Sequence, residues 1–248
     1  MKKEFDNLSE IKWMNAAGTA GFAPGRDFAE KFPEISVFTT NPISYLPRSV
    51  ASNRNLVPFE GGFLIHTGFP CLSFNHILKK YKKNWENSAL PICINLLSDI
   101  PYHIEKIVRK VETIENIFMI EISLRLGMNR TEIKELMNAA LGELPIILSL
   151  PFELVFKDWL DEILPPEIVA ISIQAPRGQV YYKGKKIHGR LYGASILPLT
   201  LNAIDHLQTL NKPVFAGVGA ITHQDIEKIF QSGASVFQAH ELVWRNYF

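Results

Sequence analysis

Three arginines, Arg125, Arg177 and Arg190, follow runs that read as β-strands. A guanidinium is planar, permanently charged and binds two oxygens at once, so arginines brought together would hold a carboxylate or phosphate. His66, beside Thr67 and Gly68, could serve as a general acid or base at neutral pH; the alternative is a hydrogen-bonded loop histidine. His240 and Glu241 are adjacent near the C-terminal end, where they could face a site or cap a helix. His66, Arg125 and Arg177 are therefore the catalytic candidates, and Gln174, Arg190, His240 and Glu241 are candidate ligand contacts. No G-x-S-x-G elbow, H-E-x-x-H motif or suitably spaced carboxylate pair occurs, so no hydrolase or metal site is expected. Cys71 and Cys93 are too few for a disulfide framework and are not spaced as metal ligands. Cys93, inside an aliphatic run, reads as core.

Charge and hydropathy exclude other classes of function. Twenty-six Lys and Arg against 25 Asp and Glu leave a net charge of +1, with no bulk attraction to nucleic acid or anionic membrane. The Lys79, Lys80, Lys82, Lys83 cluster with Tyr81 and Trp85 reads as a solvated helix face. The most apolar stretch, LPIILSLPFELVF, is broken by Pro151 and Glu153, short of the roughly 18 residues a membrane helix needs. The early lysines are followed by no apolar segment of the kind a signal peptide carries. The expectation is a cytoplasmic protein that binds a small anionic metabolite.

The elements that must position these residues alternate between aliphatic runs and helical periodicity. Strands are predicted at Trp13 to Ala16, Ile35 to Thr39, Pro91 to Leu96, Phe118 to Ser123, Pro145 to Leu150, Ile168 to Gln174, Pro213 to Gly217 and Ser235 to Ala239. Ile104, Ile107, Val108, Val111 and Ile114 form one helical face, and Ile133, Leu136, Met137, Ala140 and Leu141 another. Thr222 and Asp225 open a helix as a capping box and Gly233 closes it. Eight β-then-α units in 248 residues predict a single (β/α)8 TIM barrel spanning 1–248. Segments 42–73 and 176–192 read as long loops on its C-terminal face, where barrels place their chemistry.

Four segments carry a family resemblance: MNAAGTAGF (14–22), the TTNPISYLPR to GGFLIHTGF region (39–69), GRLYGASILPLTLNAI (189–204) and PVFAGVGAITHQDIEKIFQSGASVFQ (213–238). In this order and spacing the chain resembles the dihydroorotate dehydrogenase family, particularly its soluble type. The resemblance implies a barrel holding FMN on its open face, oxidoreductase chemistry, and pairing of two barrels as a homodimer. It places Ala16, Ala17, Gly18, Asn95, Gly193, Gly217 and Gly219 around the cofactor, because small residues let main-chain N–H groups approach a phosphate or ring.

The departures from the family pattern are as informative. Asn41 and Ser149 stand where the family has lysines, and Ser123 where the fourth strand ends in asparagine; the loop with the catalytic cysteine is largely missing before RTEIKELM. Ile65 and Gln174-Ala175 replace substrate-side asparagine and Asn-Thr, while Arg190 and His240-Glu241 replace residues at the phosphate end. A carboxylate beside a phosphate dianion is repulsive. Dihydroorotate oxidation is not expected, and FMN in its usual pose is doubtful. Two readings follow. One is a divergent FMN oxidoreductase acting on another substrate, with Asn41 and Ser123 as further ligand contacts. The other is a flavin-free barrel, either a site for a small anion or a scaffold in which Arg190 pairs with Glu241 while Tyr192, Leu126 and His240 fill the space.

Overall fold

The computed structural model describes residues 8–51, 55–97 and 100–247. Twelve strands occur among them: β1 (Trp13–Asn15), β2 (Phe38–Thr39), β3 (Asn55–Phe59), β4 (Gly62–His66), β5 (Ile92–Leu96), β6 (Ile117–Ser123), β7 (Ile146–Leu150), β8 (Ile168–Ile173), β9 (Arg177–Tyr182), β10 (Lys185–Tyr192), β11 (Val214–Ala216) and β12 (Val236–Ala239). Eight form one parallel sheet in the order β1-β12-β11-β8-β7-β6-β5-β2, and a parallel bridge from Met14 to Val37 brings its two edges together. This is the predicted (β/α)8 barrel.

Period-two alternation divides the barrel interior into layers. Cys93, Met119, Ile147, Ala170 and Val236 belong to one buried apolar cluster. Two residues further along the same strands stand Asn95, Glu121, Ser149, Ser172 and Gln238, all buried. The interior thus changes from apolar to polar toward the strands' C-terminal ends. Outside the strands, helices such as α3 (Pro101–Val111) and α4 (Arg130–Ala140) press Ile104, Ile107, Val111, Ile133 and Leu136 into a larger core. The capping box predicted at Thr222 and Asp225 opens α8 (His223–Gln231), and a second, Asn129 with Glu132, opens α4.

Each of the two segments expected as a long loop instead holds a hairpin. β3 and β4 join through the two-residue turn Glu60-Gly61, and β9 and β10 through Lys183-Gly184. Lys183 and Gly184 both have positive φ, 48° and 73°, the backbone that two-residue hairpin turns favour. β10 pairs antiparallel with β4, so the hairpins merge into a four-stranded sheet, β3-β4-β10-β9, above the barrel mouth. The prediction failed because β9 is half-exposed or exposed along its whole length, so RGQVYY carries none of the apolar alternation that marks a packed strand.

Candidate functional site

The polar floor of the mouth centres on Glu121, which the sequence reading missed. Its carboxylate accepts hydrogen bonds from Asn95 Nδ2 at 2.7 Å, Ser172 Oγ at 2.5 Å and Gln238 Nε2 at 3.1 Å. A buried carboxylate needs such donors because no water remains to solvate it. Asn95 Nδ2 also donates to Ser123 Oγ at 2.9 Å. Asn95, expected beside a cofactor, is therefore committed to the floor. A lone charge in the otherwise aliphatic run IFMIEIS was the sequence signal for Glu121.

Above the floor, strand register lines up residues that are distant in the chain. Leu56 pairs with Ile65, Ile65 with Arg190, and Arg190 with Arg177, so one row crosses the hairpin sheet on a single face. Arg177 and Arg190 line a cavity of about 430 Å³ together with Arg48, Arg125, Ser123, Gln174 and Glu153. The Gln174 side-chain amide donates to the Leu124 and Ser149 carbonyls at 3.0 Å each, which fixes its orientation. Arg190 lays its guanidinium 4.0 Å from the Phe69 ring centroid. Burial draws its pKa below the ordinary arginine value; Tyr192 and Glu153 oppose the shift and Arg177 adds to it. Burial pushes the neighbouring Tyr192 hydroxyl up to about 12. His66 stands one residue from Ile65, so strand alternation places it on the opposite face of the sheet from Arg190. The proposed catalytic set is thus divided: Arg125 and Arg177 share the cavity, and His66 is not among its lining residues.

The end of the mouth nearest β11 and β12 is occupied by a carboxyl group of the chain itself. Glu241 opens α9 (Glu241–Tyr247), and its Oε1 accepts the main-chain N–H groups of Gly193 and Gly219 at 2.9 Å each. Both glycines have positive φ, 109° and 88°, and a Cβ on either would collide with main-chain atoms, Gly62 Cα and Leu197 N respectively. Burial raises the Glu241 pKa, while the two N–H groups lower it. Its other oxygen, Oε2, has no hydrogen-bond partner among the described residues. Glu241 therefore does not pair with Arg190, as one reading of the sequence had it. His240 is buried against Tyr192 and Trp244, with its Nε2 unpartnered among the described residues. Burial, aided by Arg190, lowers its pKa to about 3, so it is neutral at physiological pH.

The remaining predicted contacts are dispersed. Ala17, Gly18 and Asn41 line an apolar cavity of about 530 Å³, and Asn41 Oδ1 accepts from Gly21 N at 3.1 Å. Ala16 lines a cavity of about 50 Å³ between the floor and His240. The Gly217 carbonyl closes a turn to Ala220 N. For FMN in the pose the resemblance implies, the phosphate needs the N–H groups that Glu241 already occupies. It would also lie against a buried carboxylate, so the residues present do not fit that pose.

The fold is a (β/α)8 barrel like that of a solved DHODH. Among solved structures, the chain is similar to a DHODH from Eimeria tenella in complex with ferulenol, with a TM-score of 0.69 at 13% identity over 94% of this chain and 76% of that one. No protein-family profile matches the sequence, and no curated protein does so. The likeness is one of fold. Among the described residues, no helix is long and apolar enough to cross a membrane, and no group of three or more His, Cys, Asp or Glu is placed to hold a metal ion.

Proposed function

We propose that this protein is a flavin-free barrel that binds a small organic anion at the C-terminal mouth. The observation that carries the reading is that Arg48, Arg125, Arg177 and Arg190, from four separate chain segments, line one cavity whose only acidic lining residue among the described residues is Glu153. In a molecule of net charge +1 this is a local concentration of positive charge. Arg177 and Arg190 are cross-strand neighbours. Like charges so placed repel, and a bound oxyanion between them relieves that repulsion. Glu153 Oε2 is buried without a hydrogen-bond partner among the described residues and is the cavity's acceptor for a donor group on the ligand.

The test begins with the purified protein. It is expected to be colourless, without the flavin absorbance at about 450 nm, and to take up no added FMN. Malonate, sulfate and phosphate should raise its melting temperature, and Arg177→Gln or Arg190→Gln should weaken their binding about tenfold or more, the worth of a charge-assisted hydrogen bond. A yellow protein that retains FMN through gel filtration, or anion affinities unchanged in both variants, would overturn the reading.

A further inference from the structure

We propose that the anion bound at the mouth is an amphipathic carboxylate, its head held between Arg177 and Arg190 and its apolar tail or ring laid along Ile65 and Leu56 toward Trp244. This rests on the reading of the arginine cavity as an anion site and adds the class of molecule that fills it.

The sheet register supplies the first argument. The row Leu56, Ile65, Arg190, Arg177 changes from aliphatic to cationic across four paired strands on one face. At its cationic end two guanidiniums oppose each other. At its aliphatic end Leu56 is 66% exposed, and Val50, which lines the same apolar cavity, is 47% exposed. A molecule with one charged end and one apolar end matches both halves of the row, whereas a compact anion leaves the aliphatic half in water.

The cavities supply the second argument. The arginine-lined cavity of about 430 Å³ and the apolar one of about 530 Å³ share Gly68, Phe69 and Arg190 as walls. Arg190, stacked on Phe69, stands at the junction and presents charge to one side and hydrocarbon to the other. Tail burial would follow the usual dependence on apolar area, about 0.8 kcal/mol per methylene, which is about fourfold in affinity.

Calorimetric titration of the full chain with acetate, butyrate, hexanoate and octanoate tests this, with Trp244 emission as a second readout. Affinity should rise about threefold to fourfold per methylene once the chain extends past Arg190. Octanol should bind at least tenfold more weakly than octanoate. Leu56→Asp, at a position 66% exposed, should flatten the chain-length series, with acetate binding as the control for the anion site. If acetate binds but octanoate binds no tighter in the unmodified protein, or octanol equals octanoate, the proposal is overturned and the anion site stands. If neither acetate nor octanoate binds, the anion site itself is overturned and this proposal falls with it.

Discussion

At Glu241 the main chain and one side chain solve a problem together. Gly193 and Gly219 turn their N–H groups toward the same point, and buried N–H groups need an acceptor. Glu241→Ala should cost about 1–3 kcal/mol for the unsatisfied donors. The space it vacates should accept inorganic phosphate or sulfate, so that phosphate raises the variant's melting temperature more than that of the unmodified protein. Glu241→Gln keeps an acceptor oxygen and should show a smaller loss and no such phosphate response. His240 gives the mouth a pH dependence of definite sign. The folded protein keeps it neutral down to about 3, whereas the unfolded chain takes up the proton near 6.5. Between those values the unfolded state binds more protons, so His240 makes stability fall as the pH is lowered through that window. Glu241, whose folded pKa is raised, acts in the opposite sense above its ordinary 4.5. His240→Phe should therefore flatten the acid-side loss of stability, read from denaturation midpoints between pH 3 and 7.

At the scale of elements, the barrel is weakest in main-chain pairing where β1 meets β2. β2 is only two residues long, and the pairing there reduces to the Met14–Val37 bridge. The Asn15 side chain takes over the missing ladder: its Oδ1 accepts from Thr39 N at 2.8 Å and its Nδ2 donates to Thr39 O at 2.7 Å. Asn15→Ala should destabilise the fold by about 2–4 kcal/mol, because two buried main-chain groups lose their partner. Urea denaturation should show this as a lower midpoint with an unchanged slope. The elements also show which signals were legible in the chain. Thr222 and Asp225 marked a helix start because a capping box is complete within four residues. The β9–β10 hairpin escaped notice although Lys183-Gly184 is a turn pair, because β9 is half-exposed or exposed throughout and β10 is buried only at Gly189 and Tyr192.

Over the whole molecule, the mouth is roofed by one sheet built from two hairpins, one inserted after β2 and the other after β8. The pairing of β4 with β10 joins them, and that pairing puts Ile65 beside Arg190. The near-zero net charge hides this arrangement, since arginines gathered in one cavity are balanced by carboxylates elsewhere. Arg48 passed unnoticed in the sequence for the same reason, as it lies in a polar stretch and acquires meaning only from its neighbours in space. The amino-acid sequence by itself determined the barrel: its strands, their order and the helices between them follow from local hydrophobic period, capping and chain length. Tertiary structure alone decided which polar side chains meet. Local period acts over about ten residues, whereas the convergence of Arg48, Arg125, Arg177 and Arg190, and the seating of Glu241 on Gly193 and Gly219, depend on closing the barrel and pairing segments more than 100 residues apart.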